Sequence, residues 1–180
     1  MNDQLPSKDR ALKILQEAGC SKKVIRHCKA VAELAVEIGK ACREKEKQVN
    51  IQLVEIGALL HDLGRSQTHT VHHAVQGAKI AESLDLPQPI ISIIKRHVGG
   101  GIPVKTAERW GWPKDIYTPL TLEEKIVAYA DKRIEEGKRV PIEKVIEKFR
   151  SENLSPSAIR RLKKLHREIT SIIGDCPCLP

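Results

Sequence analysis

The segment that most limits the fold of this chain runs from Ile56 to Leu60. It carries no polar side chain, and it passes without a break into His61 and Asp62. A helix with no polar face cannot lie at a surface and must be enclosed on every side. Asn50 offers an N-cap, and Gly64 offers a stop. The pattern therefore predicts a central buried helix from Ile51 to about Leu63. Amphipathic helices must surround it. Aromatic residues make up only 3% of the chain, so the shared core has to be built from Leu, Ile, Val and Ala. Interlocking aliphatic stripes on packed helices suit that composition.

The surrounding helices are marked by their caps and stripes. Ser7 opens a first helix that ends near Gly19. Ser21 opens a second, with Val24, His27, Val31, Leu34, Ala35 and Ile38 on one stripe. A fourth helix fits His72 to Leu84. A fifth begins at the Pro89 turn and carries Ile90, Ile91, Ile93 and Ile94 to His97. Residues 98–120 read as a long loop holding Gly99-Gly100-Gly101 and Trp110-Gly111-Trp112. In that loop the tryptophans anchor the chain on the helices or stack on a base. Thr121-Leu-Glu-Glu124 is a capping box for a sixth helix that ends near Gly137. Pro141 starts a seventh, to about Asn153, and Ser155-Pro156 opens an eighth, to Gly174. No strand period, internal repeat or Gly-rich phosphate loop is visible. The expectation is an all-α bundle of seven to eight helices forming one domain over residues 1–180.

Bulk properties bound the function classes. No run of about 18 apolar residues exists to span a membrane. The N-terminal MNDQLPSKDR has no apolar signal region, which places the chain in the cytoplasm as an expectation. The formal net charge is +8. That excess suits an anionic partner such as a nucleotide or RNA, or it simply solvates helix faces. A homo-oligomer stays open. The five cysteines, at positions 20, 28, 42, 176 and 178, make no disulfide framework. Cys176-Pro177-Cys178 reads as exposed thiols, with a metal or redox role as the alternative.

Chemistry is concentrated in the seven histidines and in Asp62 and Asp131. An ionised Asp62 on a buried helix is costly unless it is paired or bound to a metal. His61 beside it adds nitrogen to oxygen, a donor set suited to Mn, Fe, Co or Zn. Further donors must come from other helices. The candidates are His27, His73, His97 and Asp131, the last in the apolar stretch Ile126 to Ala130.

The order His27, His61-Asp62, His73, His97, Asp131 resembles the HD superfamily of metal-dependent phosphohydrolases. Leu60-His61-Asp62-Leu63-Gly64-Arg65 is similar to its HDIG motif, with Leu63 for the usual Ile. His73-Ala-Val-Gln-Gly77-Ala78, Ile93-Ile94-Lys-Arg-His97 and Lys125 to Asp131 resemble the motifs that follow. The resemblance covers about residues 21–137, an HD core, and leaves 138–180 as a C-terminal helical extension. It implies one or two divalent ions, drawn from Fe, Mn, Co, Zn and Ni. The one-ion form would use His27, His61, Asp62 and Asp131. In the two-ion form Asp62 would bridge, and His73 and His97 would hold the second ion. The full set looks like the di-metal members, among them the symmetrical diadenosine-tetraphosphate hydrolases and archaeal relatives of unassigned role.

The expected activity is hydrolysis of a phosphate ester or anhydride of a nucleotide or dinucleotide by metal-activated water. Asp62 and Arg65 are the expected catalytic residues, with Arg65, Arg96 and Arg133 on the substrate. Two other readings stand beside it: an RNA-directed phosphodiesterase or phosphatase, favoured by Arg160-Arg161-Leu-Lys163-Lys164, and a non-catalytic module that binds metal. His69, His72 and His166 read as surface or structural residues.

Overall fold

The computed structural model describes residues 4–174 and 176–179; the first three residues of the N-terminal segment lie outside it. Among the described residues the helices are α1 (Lys8–Glu17), α2 (Lys22–Glu44), α3 (Ile51–Leu60), α4 (His73–Ser83), α5 (Gln88–Arg96), α6 (Val104–Arg109), α7 (Leu122–Lys132), α8 (Ile142–Ser151) and α9 (Pro156–Ile173). A two-stranded hairpin, β1 (Ile134–Glu135) and β2 (Lys138–Arg139), is the only sheet among them. No helix among the described residues is long and apolar enough to cross a membrane.

Helix starts follow the side chains that satisfy the first orphan N–H groups. Ser7, Ser21, Asn50 and Ser155 accept from Arg10, Val24, Leu53 and Ala158. Thr121 and Glu124 complete a reciprocal capping box on α7. The apolar α3 is enclosed by α1, α2, α5 and α7. Its Val54, Ile56, Ala58, Leu59 and Leu60 are almost wholly buried in one aliphatic core that runs from Ala11 to Cys178. Helix α9 lays Leu162, Leu165 and Ile169 on that core and packs against α7, α8 and the turn that follows His97.

Three segments differ from the sequence expectation. Helix α3 ends at Leu60, and the chain tightens into a 3-10 turn, Leu63–Ser66. The cause is a backbone contact: a Cβ on Gly64 would sit 2.0 Å from the His73 carbonyl oxygen and 2.5 Å from the Gly77 nitrogen. Gly64 thus lets the turn press onto the start of α4. The expected helix to Gly137 stops at Lys132, because Glu136 and Gly137 take positive φ (50° and 79°) and reverse the chain into the hairpin. Residues 98–120 are more ordered than a loop. Pro103 precedes α6, and Ile102 bridges to Tyr117. Trp112 is buried with Tyr117 in a second apolar cluster, and its indole N–H donates to His72 Nδ1 at 2.9 Å. Trp112 and His72 therefore anchor this segment, while Trp110 stays 39% exposed. Cys20, Cys28 and Cys42 are buried free thiols, whereas Cys176 and Cys178 are joined as a disulfide rather than standing as exposed thiols.

Candidate metal centre

Two close helix contacts aim the donors. A Cβ on Gly57 would lie 2.4 Å from Ile93 Cδ1, so α3 and α5 touch nearly backbone to side chain. Four residues on, one helical turn, lie His61 and His97, and their ring centroids are 4.9 Å apart. The Gly64–Gly77 contact does the same for α4, drawing His73 toward Asp62. His73 Nε2 is 3.1 Å from Asp62 Oδ1, and His97 Nε2 is 3.6 Å from it. On the other side α2 and α7 meet through His27 Nε2 and Asp131 Oδ1 at 3.0 Å. His61 Nε2 is 3.4 Å from that same oxygen. Donor atoms of His27, His61 and Asp131 lie within 4.8 Å of one another, as do those of His61, Asp62 and His97.

The imidazoles share one device. Nδ1 of His61, His73 and His97 bonds to the carbonyl oxygen three residues earlier: Ala58 (2.6 Å), Thr70 (2.6 Å) and Ile94 (2.7 Å). A carbonyl oxygen only accepts, so each Nδ1 must carry the hydrogen. In the neutral ring, Nε2 is then a bare lone pair. Such a bond fixes tautomer and ring orientation in metal sites. His61 Nε2 and Asp62 Oδ1 are buried and have no hydrogen-bond partner. The neighbouring nitrogens reach Asp62 Oδ1 in distance but not along a hydrogen-bond direction. Buried polar atoms are rarely left so. Converging lone pairs on mixed nitrogen and oxygen donors fit a divalent transition ion.

Electrostatics keep the donors in usable charge states. Burial works against the Asp62 carboxylate. The imidazoles of His61, His73 and His97 outweigh it and hold its pKa well below the usual range. Asp131 is likewise held well below, against burial, by Lys132, His27 and His61. Burial drives His97 down to about 4, with His61 and His73 adding to it, so its ring is neutral near pH 7. His61 is raised despite burial, because Asp62 and Asp131 face it.

The arginines separate into two kinds. Arg65 donates from Nε to Asp62 Oδ2 (3.0 Å) and from a terminal nitrogen to the His69 carbonyl (2.9 Å), at the rim of the cluster. Arg96 and Arg133, expected on substrate, are both engaged by protein groups. Arg96 bonds Glu124 at 2.7 Å and the Ile116 carbonyl, tying α5 to the start of α7. Arg133 is 1% exposed and donates to the Val140 carbonyl and the Tyr129 hydroxyl, fastening the hairpin to α7. His166 accepts the other claim on Tyr129 (2.8 Å), outside the cluster.

Lys132, next to Asp131 in sequence, has its ammonium 2.5 Å from Asp131 Oδ2. The carbonyl bonds to Nδ1 left no signal in the sequence.

The HD domain family model matches residues 24–134, more than half the chain. An uncharacterized protein of Methanocaldococcus jannaschii is 42% identical over 166 residues, 92% of this chain and 98% of its own. Two proteins named tRNA (cytidine(56)-2'-O)-methyltransferase are also similar. That of Thermoplasma volcanium is 38% identical and that of Picrophilus torridus 36%, each over 170 residues. The match takes in 94% of this chain but 48% of each of them, so the chain spans about half their length. A crystal structure of the HD domain of the L. monocytogenes phosphodiesterase PgpH in complex with cyclic-di-AMP shares the fold, with a TM-score of 0.54 and 20% identity. It covers 92% of this chain and 98% of that one. From the match over residues 24–134 and the His and Asp donors it frames, this chain belongs to the HD domain family.

Proposed function

We propose that the chain is a phosphohydrolase that cleaves a phosphate ester or anhydride of a nucleotide or dinucleotide. The observation that carries this reading is the convergence of bare imidazole lone pairs on Asp62 and Asp131 inside a wall of aliphatic side chains. His27, His61, Asp62 and Asp131 would hold one divalent ion, and Asp62, His73 and His97 a second. Ions held there would polarise a phosphate and supply an activated water.

The chain's own residues set the geometry. Asp62 stays ionised and turns Oδ1 toward His73 and His97. Its other contact orients Arg65, whose planar guanidinium suits the non-bridging oxygens of a phosphate. Lys132 lies against Asp131 and adds positive charge at the opposite rim. Buried Leu59, Leu60 and Leu63 exclude water from behind the donors. The test is metal content of the purified protein together with turnover of a nucleotide and dinucleotide panel in Mn, Fe and Co. Metal-dependent release of phosphate or nucleotide, lost in Asp62→Ala, is the expected result. No bound metal and no turnover across the panel would reject the reading.

A second reading is RNA-directed hydrolysis. It is favoured by two relatives about half of whose length this chain spans, and whose names describe a tRNA-modifying enzyme. The basic face of α9 agrees with it. Metal-dependent cleavage of an RNA rather than of mononucleotides would select it.

A further inference from the structure

A cleft outside the metal centre opens between α7, α9 and the turn that follows His97. It encloses about 280 Å³ and is lined by Gly100, Thr118, Lys125, Arg161, Lys164 and Glu168, among others. On α7, Lys125 precedes Asp131 by six residues, which is about 9 Å of helix and a different face. The cleft is therefore a separate feature of the surface and not the mouth of the His and Asp cluster.

Its charge balance is uneven. Three cations, Lys125, Arg161 and Lys164, share one carboxylate. Glu168 lies 3.1 Å from Lys125 and 3.7 Å from Lys164. Arg161 has no acid beside it among the described residues. Its Nε donates to the Gly101 carbonyl at 2.8 Å, which leaves the terminal guanidinium nitrogens along the wall. Partial burial and neighbouring Arg160 both disfavour its charge, a penalty that an anion in the cleft would relieve. Gly99, Gly100 and Gly101 all have positive φ, and Gly100 comes close to the α9 backbone. Of the three, Gly100 lines the cleft and brings no side chain into it. Outside the cleft, exposed Arg160, Lys163 and Arg167 continue the positive charge along the same helix.

We propose that this cleft binds the phosphodiester backbone of RNA, with Lys125, Arg161 and Lys164 on phosphate oxygens and the exposed face of α9 tracking the strand. The proposal rests on the RNA-directed reading above. Five cations on α9 between Arg160 and Arg167 fit a polyanion better than one small phosphate. Phosphate contacts of this kind release counterions on binding, so affinity must fall steeply with salt.

The test uses the full chain treated with EDTA, so that neither metal nor turnover enters the result. Binding of a fluorescein-labelled short single-stranded RNA and of a folded RNA hairpin is followed by anisotropy through a salt titration. The double variant Lys125→Gln/Lys164→Gln is expected to bind about tenfold more weakly, with the salt slope reduced by about 1.4, or about 0.7 per lost phosphate contact. Glu168→Gln, which removes the one carboxylate, is expected to bind more tightly. Thermal melting of each variant checks that the fold is kept. The idea is overturned if the double variant binds as the parent does. It is equally overturned if Lys45→Gln/Lys47→Gln, on the α2–α3 connection, loses as much affinity. Metal-dependent hydrolysis is measured separately, so a failed cleft leaves the hydrolase reading standing, and a failed hydrolase leaves the binding result readable.

Discussion

His73 Nε2 and His97 Nε2 stand 3.0 Å apart, although the Nδ1–H of each ring is already given to a backbone carbonyl. Two lone pairs at that distance repel unless a cation or a proton lies between them. His73→Ala and His97→Ala should therefore each remove the second ion and leave the first. Metal analysis should fall from two equivalents to one, and turnover should fall by more than about 100-fold, the upper end of the cost of losing an outer-shell partner. One equivalent in the parent, unchanged by His73→Ala, would reject the two-ion arrangement.

Gly64→Ala should damage the site from outside it. The added methyl meets the His73 carbonyl and the Gly77 nitrogen, both backbone, so neither can turn aside. A loss of about 3 kcal/mol in urea unfolding is expected, at the high end for overpacking. Gly39→Ala is the control. Its nearest neighbour, at 2.9 Å, is the flexible tip of Ile51, so it should cost less than about 1 kcal/mol.

Arg96→Ala should read as a stability change and not as a substrate change. Arg96 and Glu124 form an ion pair with side chains 13% and 3% exposed. Removing one partner of such a buried pair costs about 3–5 kcal/mol. KM for any substrate found should be unaltered. A raised KM with unchanged stability would restore Arg96 to the substrate.

The metal-free protein should lose stability as pH falls from about 6.5 to about 4. His97 titrates near 6.5 when unfolded and near 4 when folded, so over this window the unfolded chain binds more protons. The loss should reach about 3 kcal/mol, because each tenfold difference in proton affinity between the two states is worth about 1.4 kcal/mol. Asp62 and Asp131, both depressed, extend the fall below their ordinary 3.8. His61 is raised and works in the opposite sense: its contribution is present below 6.5 and is lost as pH rises through its folded value. Denaturant midpoints across pH in EDTA check the sign, and His97→Gln should flatten the acid slope.

Much of this was legible in the sequence because caps and apolar stripes act locally. Ser7, Ser21, Asn50, Thr121 and Ser155 each cap the helix that their position implied. Donors on separate helices were legible as polar residues in apolar stripes. Contacts between elements were not. Nothing near Arg96 announces Glu124, twenty-eight residues on. The hairpin escaped because β1 and β2 have two residues each, too few for a period. Nothing around Gly57 in the sequence shows that its lack of a side chain is what lets α5 come near.

The three carbonyl bonds to Nδ1 have a mechanical consequence. Each imidazole is braced against its own turn of backbone and not against a neighbouring element. A ring braced that way has little rotation left with which to follow an ion of another radius. The space between donors is then a gauge set by how closely α3, α4 and α5 approach, and the glycines at 57, 64 and 77 are its stops. An exchange of ions held there would have to be registered as a movement of whole helices.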